Sequence, residues 1–167
     1  MPNPYTVSFG KIPYRQIERS QQENQILDDF TSETPTSQVY MISGVRGSGK
    51  TVFLSAITRK LGEDERFVVV DLIPDMDLFS QATSKLYSLA PLTSIFRESR
   101  INISLPGISI EFGGGPRITD PMIALEVMLE SLTKHNKKVL FTIDETISNV
   151  NVRQFMAFFQ LMLRKDY

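Results

Sequence analysis

The sequence predicts an α/β fold of three layers, in which a mainly parallel sheet lies between helices and carries an inserted β-hairpin. Three short apolar runs, residues 39–42, 67–70 and 139–143, have the composition of strands that are buried on both faces. Stretches with the apolar spacing of helices alternate with these runs, and such alternation is typical of parallel strands joined by crossover helices. With 167 residues, the chain is expected to form one domain.

Five helices are predicted from apolar spacing and from capping residues. Ser20 suits the N-cap of the first helix, and Gly62 suits the left-handed position after the second. Asp120 followed by Pro121 favours a helix start, because the carboxylate accepts from free N–H groups and proline fits the first turn. The predicted helices span residues 20–30, 51–61, 76–89, 121–135 and 151–163.

The remaining segments are predicted to be a lead-in, a hairpin and loops. Residues 1–18 are interrupted by prolines and a glycine, so we expect them to be irregular. Residues 101–105 and 108–112 alternate apolar and polar side chains. Pro106-Gly107 between them fits a two-residue turn, which together with the alternation predicts a β-hairpin.

The composition excludes several classes of chemistry. The absence of cysteine excludes a disulfide scaffold, a thiolate zinc site and a cysteine nucleophile. A single histidine, His135, excludes a multi-histidine metal site, and its place near a helix end is typical of a capping or surface residue. The formal net charge of −1 gives no general attraction to nucleic acid or to a membrane. Residues 1–13 lack the features of a signal peptide, and no apolar run approaches the length of a membrane span, so we expect a cytoplasmic protein.

Residues 44–51 match the phosphate-binding pattern of a glycine, four residues and then Gly-Lys-Ser/Thr. The glycines let the backbone curl around an anion with its N–H groups inward, and the following helix adds its positive N-terminal end. Lys50 is expected to reach the β- and γ-phosphates, and the Thr51 hydroxyl to bind Mg²⁺. The predicted phosphate-binding residues are Gly44, Val45, Arg46, Gly47, Ser48, Gly49, Lys50 and Thr51.

The third apolar run ends in two carboxylates, Asp144 and Glu145. Ligands of open parallel sheets bind outside the carboxyl ends of the strands, so these acids lie where a nucleotide site needs them. Asp144 is expected to hold Mg²⁺ together with Thr51, and Glu145 to orient and deprotonate the attacking water. Asp71, at the end of the second run, is the alternative metal ligand, although it follows the loop helix too soon to be the usual partner.

The loop at 44–51 and the Asp144-Glu145 pair together resemble the additional-strand, catalytic-glutamate division of P-loop ATPases. Within that division, the chain is similar to the AAA+ and STAND-like ATPases of prokaryotes. The resemblance implies a three-layer P-loop core that binds ATP with Mg²⁺ and hydrolyses it. The two motifs then correspond to the Walker A and Walker B segments of such enzymes.

The resemblance also implies an adenine pocket that is formed partly by the N-terminal lead-in. Its candidate residues are Ile12, Pro13 and Ile17, for which ordinary packing under a loop is an equal explanation. Within the single domain, residues 1–36 are accordingly assigned to the lead-in and the helix beside the adenine site. Residues 37–167 are assigned to the ATPase core.

In the ATPases that the chain resembles, a further strand with a polar sensor residue and a small helical lid follow the acid pair. The sequence ends at Tyr167, where that strand would begin, so the resemblance implies an N-terminal portion of a longer ATPase. It also allows a homo-oligomer, or a partner protein that completes the sheet by strand addition. Arg164 would reach a neighbour's phosphate in such an assembly, or else complement the C-terminus of its own helix.

Two other classes of function stay open at this point. The first is a nucleotide-dependent switch or assembly module that binds ATP or ADP without hydrolysis. The second is a GTPase or a small-molecule kinase, which is less favoured because residues 136–139 lack the acid of a guanine-reading segment and no arginine-rich lid is present. Scattered basic residues give no direct support for binding to nucleic acid.

Overall fold

The computed structural model describes residues 19–105, 108–110, 117–146 and 148–164. Within these residues the chain is a mixed α/β protein with six helices, a parallel sheet of two strands and a short antiparallel hairpin. In chain order the elements are α1 (Ser20–Thr31), α2 (Lys50–Gly62), β1 (Phe67–Leu72), α3 (Leu78–Ser88), α4 (Ala90–Glu98), β2 (Ile103–Leu105), β3 (Ile108–Ile110), α5 (Pro121–Lys134), β4 (Lys138–Ile143) and α6 (Val150–Leu163).

The chain divides into two compact units, Met1–Glu63 and Asp64–Tyr167. In the first unit, α1 packs against α2 through apolar side chains and through one ion pair. Glu23 Oε1 and Lys60 Nζ lie 2.8 Å apart and join the two helices. The buried apolar side chains of the pair are Ile26, Phe53, Ile57 and Leu61.

The second unit contains the parallel sheet. β1 pairs with β4 from Phe67 opposite Lys138 to Leu72 opposite Ile143, so both predicted strands are confirmed. β4 is less buried than its apolar composition predicts, since Thr142 is its only buried residue. Because the strands are parallel and in register, their carboxyl ends lie at one edge of the sheet.

Aromatic side chains form much of the contact between α6 and the elements beside it. Phe155 of α6 lies 5.4 Å from the Phe79 ring of α3 and 5.4 Å from the Phe141 ring of β4. Phe158 meets Phe79 edge-on at 5.3 Å. Such tilted and edge-on pairs add about 0.5–1.5 kcal/mol each to the burial of the rings. The Phe141–Phe155 pair thus holds β4 against α6, and the Phe79 pairs hold α3 against it.

The predicted hairpin is confirmed for residues 103–105 and 108–110, while residues 111–112 of the prediction lie outside the described residues. β2 and β3 are antiparallel with Ile103 opposite Ile110, while the predicted turn at 106–107 lies outside the described residues. Ile103 also forms an isolated parallel bridge with Ile118, which covers part of the second edge of β2.

All five predicted helices are confirmed, and most of their ends lie close to the predicted residues. Ser20, predicted as a cap, instead lies in the first turn of α1, where Arg19 holds the cap position. Gly62 is the last helical residue rather than a left-handed residue beyond the helix. The helix α4 is absent from the prediction, because Pro91 resembles a breaker in sequence although proline fits a first helical turn. None of the described helices has the length and apolar character needed to cross a lipid bilayer.

The strand predicted at residues 39–42 is not formed, and that prediction is wrong. Met41 is 90% exposed instead of buried. The side chain of Tyr40 turns to α1, where its hydroxyl donates to the Asp29 carboxylate and its ring meets Phe30 edge-on at 5.7 Å. A strand needs a neighbour for its N–H and C=O groups, and the described residues of the first unit contain no other strand.

Candidate functional site

The predicted phosphate loop, residues 44–51, leads directly into α2. Gly49 is the N-cap residue of this helix and has a φ of 80°, and Gly47 has a φ of 79°. Both angles lie in the left-handed region, which glycine adopts without the steric cost that a Cβ brings. The first turn of α2 contains no acidic side chain, so no carboxylate there opposes the positive end of the helix.

Gly44 is required for a different reason, which is a close approach inside the loop. A Cβ at Gly44 would lie 2.7 Å from Ser48 Oγ, well inside van der Waals contact. The Ser48 N–H donates to the Val45 carbonyl at 3.2 Å and closes the turn. Ser48 Oγ is buried and has no hydrogen-bond partner among the described residues. A buried hydroxyl in that state is a group that a bound ligand can satisfy.

The Lys50 side chain folds back over the beginning of its own loop. Its Nζ donates to the Gly44 carbonyl at 2.9 Å and to the Val45 carbonyl at 3.1 Å. Val45, Arg46 and Thr51 are exposed. The loop therefore brings the predicted phosphate-binding residues together, with an ammonium group at the start of a helix that lacks acidic residues in its first turn.

Arg19 contacts this loop although it belongs to neither sequence motif. Its Nη2 donates to the Ser48 carbonyl at 2.6 Å, and its guanidinium lies over the Phe53 ring, 5.8 Å from the centroid. Nothing in the loop pattern singles out Arg19, since the contact depends on how α1 packs against α2. A cation just before a helix that packs beside the loop is the only sequence signal that could have indicated it.

The predicted acid pair follows β4 at the carboxyl edge of the sheet in the second unit. Asp144 Oδ1 accepts from the Glu145 N–H at 2.8 Å, and the Thr146 hydroxyl donates to the Ile143 carbonyl at 3.1 Å. Glu145 has a φ of 51°, a left-handed conformation that is strained for a residue with a side chain. The strand end is thus a tight turn that exposes the Glu145 side chain.

Asp71, the alternative metal ligand, lies on β1 opposite Thr142 of β4. The Thr142 hydroxyl donates to the Asp71 carboxylate, and the Lys85 ammonium donates to the Asp71 carbonyl. Asp71 therefore forms part of the hydrogen bonding between the two strands and α3, whereas Asp144 lies beyond the strand. Sequence alone does not show this difference, because both residues end an apolar run.

The remaining predicted residues fall outside the two motifs. Ile12, Pro13 and Ile17 lie outside the described residues. Arg164 is the C-cap residue of α6. His135 is the C-cap residue of α5. Its Nδ1 lies 2.8 Å from the Ser131 carbonyl, and its Nε2 lies 3.2 Å from the Glu98 carboxylate. Both contacts raise the pKa of the imidazole.

The two halves of the predicted site belong to different units, the phosphate loop to the first and the acid pair to the second. The described part of the chain contains no group of three or more His, Asp or Glu side chains arranged to hold a metal ion. Comparison of the chain with protein-family models, with curated proteins and with solved structures finds no match.

Proposed function

We propose that this chain binds ATP at the loop 44–51 and hydrolyses it in the manner of an AAA+-like ATPase. The observation that carries the proposal is the conformation of this loop at the start of α2. It combines two left-handed glycines, a third glycine at which a Cβ would meet the Ser48 hydroxyl, and a lysine ammonium folded over the loop. These features match what an oligophosphate requires.

The chemistry of the loop favours an anion over other ligands. The first N–H groups of a helix have no acceptor within the helix, and together with the helix dipole they favour negative charge. Lys50 adds a full positive charge that hydrogen-bonds only as a donor. An ammonium that already spans two loop carbonyls, at 2.9 and 3.1 Å, needs only a small movement to reach a phosphate oxygen.

The donor chemistry of the two predicted ligands suits the expected metal ion. Mg²⁺ in nucleotide sites is held by one or two protein groups together with phosphate oxygens and waters. The ion would neutralise part of the negative charge of the triphosphate. Thr51 and Asp144 would be the protein groups, and the carboxylate and hydroxyl oxygens that they offer are the hard ligands this ion prefers. Glu145 would hold the attacking water and accept its proton.

The sheet supports the finer fold proposal of a P-loop core. The resemblance implies that the strand after the loop helix lies at the sheet edge. β1 pairs in parallel with β4, as crossover connections in such a core would give. The strained φ of 51° at Glu145 is a second supporting feature, because such conformations are concentrated at functional sites.

Phosphate release tests the proposed role of Glu145. We expect the chain to hydrolyse Mg-ATP and the Glu145→Gln variant to be slower by about 10²–10⁴-fold, the usual contribution of a general base, while both bind ATP equally. Glu65→Gln is the matched control, since Glu65 is an exposed acid of the same unit. Equal rates for wild type and Glu145→Gln would remove Glu145 from the mechanism. Tight ATP binding without turnover by any form would favour the non-hydrolysing switch instead.

A further inference from the structure

Arg19 lies outside the phosphate loop and donates from Nη2 to the Ser48 carbonyl of the loop at 2.6 Å. The guanidinium also lies over Phe53, which is buried in the first turns of α2. The arginine plane can make both contacts at once, since it donates in its plane and stacks with its face. A lysine at this position could donate but could not stack in the same way.

The contact fixes the orientation of the peptide group between Ser48 and Gly49. A trans peptide is planar, and its C=O and N–H bonds point in opposite directions. A carbonyl held by Arg19 therefore directs the Gly49 N–H away from Arg19. Gly49 is the N-cap residue of α2, so its N–H is among the donors for which the helix itself has no acceptor.

The left-handed φ of 80° at Gly49 makes this restraint necessary. Glycine occupies left-handed and right-handed regions about equally in the absence of restraint, so the peptide before it can rotate at little cost. Rotation would turn a carbonyl toward a bound anion in place of an N–H. A hydrogen bond from a charged donor to the Ser48 carbonyl opposes that rotation.

We propose that Arg19 is a positioning residue of the phosphate loop, which orders the Ser48-Gly49 peptide so that the Gly49 N–H is presented to the phosphates of the nucleotide. The inference rests on the proposed function and extends it to a residue outside both motifs. Arg19 acts through the loop backbone and does not itself contact the phosphates. It links α1 to the nucleotide, because it directly precedes that helix.

Calorimetric titration with Mg-ATP tests the inference on five forms of the full chain, namely wild type, Lys50→Ala and three variants at positions 19 and 59. Arg19→Met keeps an unbranched side chain over Phe53 and removes the donors, and it should bind about tenfold more weakly, the loss expected for one hydrogen bond from a charged donor. Arg19→Lys should recover part of the affinity. Arg59→Met, which removes the same charge from an exposed position on α2, should bind as wild type does.

The amide resonance of Gly49 reports directly on the Ser48-Gly49 peptide. In the absence of nucleotide, Arg19→Met should shift the Gly49 N–H resonance and leave that of Gly62, at the far end of the same helix, unchanged. The Glu23–Lys60 ion pair still joins α1 to α2 in this variant, so the unit is expected to stay folded.

The outcomes separate the inference from the proposed function. If wild type binds ATP and Lys50→Ala does not, but Arg19→Met binds as wild type does, the positioning role is overturned and the function stands. An equal loss of ATP affinity in Arg59→Met would show that the effect of Arg19→Met comes from net charge alone, and it would also overturn the positioning role of Arg19. Absence of ATP binding by wild type would overturn the function and the inference together.

Discussion

Replacing Glu145 with glycine is expected to stabilise the second unit while slowing the proposed ATP hydrolysis by about 10²–10⁴-fold. Glu145 has a φ of 51°, and a left-handed conformation costs a residue with a Cβ about 1–2 kcal/mol. Glycine avoids that cost but loses about 0.5–1 kcal/mol more conformational entropy on folding. The net stabilisation should therefore be about 0.5–1 kcal/mol, because the hydrogen bond from the residue 145 N–H to Asp144 is backbone-donated and is kept.

Arg100 offers a matched control in the same unit. It has the same φ of 51° and follows α4, where its N–H donates to the Arg97 carbonyl at 3.0 Å. This is the position after a helix that glycine most often occupies, so Arg100→Gly should raise stability by a similar amount and leave hydrolysis unchanged. Glu145→Ala keeps the Cβ and loses the carboxylate, and it should slow the proposed hydrolysis as much as Glu145→Gly does, with no gain in stability.

Urea unfolding of the four proteins measures their stability, and a separate assay of phosphate release measures their ATP hydrolysis. At constant slope, a gain of about 0.5–1 kcal/mol moves the midpoint upward by a few tenths of a molar, which such experiments resolve. If Glu145→Gly lowered stability while Arg100→Gly raised it, the conformation of Glu145 would not be strained. The link between strain and function at this turn would then be lost.

Two further predictions concern the phosphate loop and His135. Gly44→Ala should destabilise the first unit by about 0.5–1.5 kcal/mol, because its Cβ would lie 2.7 Å from Ser48 Oγ and the Ser48 side chain must move. Adding Ser48→Ala should recover most of the loss in a double-mutant cycle, and additive effects would disprove the contact. The pKa of His135 is raised above 6.5, so its contribution to stability is complete below pH 6.5 and is lost as pH rises through the folded-state pKa. Glu98→Gln should lower the His135 pKa measured by NMR and weaken this pH dependence of the free energy of unfolding; an unchanged pKa would contradict the assignment.

The sequence predicts well those features that depend on local rules. Asp120 caps α5 through the N–H groups of Met122 and Ile123, as the Asp-Pro pair indicates. β1 and β4 are found where apolar runs predict them. Gly47 and Gly49 have the left-handed angles that a phosphate loop needs.

Features that depend on distant partners are not predictable in the same way. The segment 39–42 has a strand composition, but a strand also requires a hydrogen-bonded neighbour, which the described residues of its unit do not supply. The contact of Arg19 with the Ser48 carbonyl depends on the packing of α1 against α2, to which no local pattern points. The hydrogen bond from Thr142 that distinguishes Asp71 from Asp144 likewise depends on strand register.

Calorimetric titration of the full chain with Mg-ATP, beside Lys50→Ala and the control Arg59→Ala, tests the central claim most directly. We predict that wild type and Arg59→Ala bind ATP equally. Lys50→Ala should bind at least about tenfold more weakly, because it loses a charged donor to the phosphates. Undetectable binding by wild type, or unchanged affinity in Lys50→Ala, would contradict the assignment of residues 44–51 as a nucleotide site.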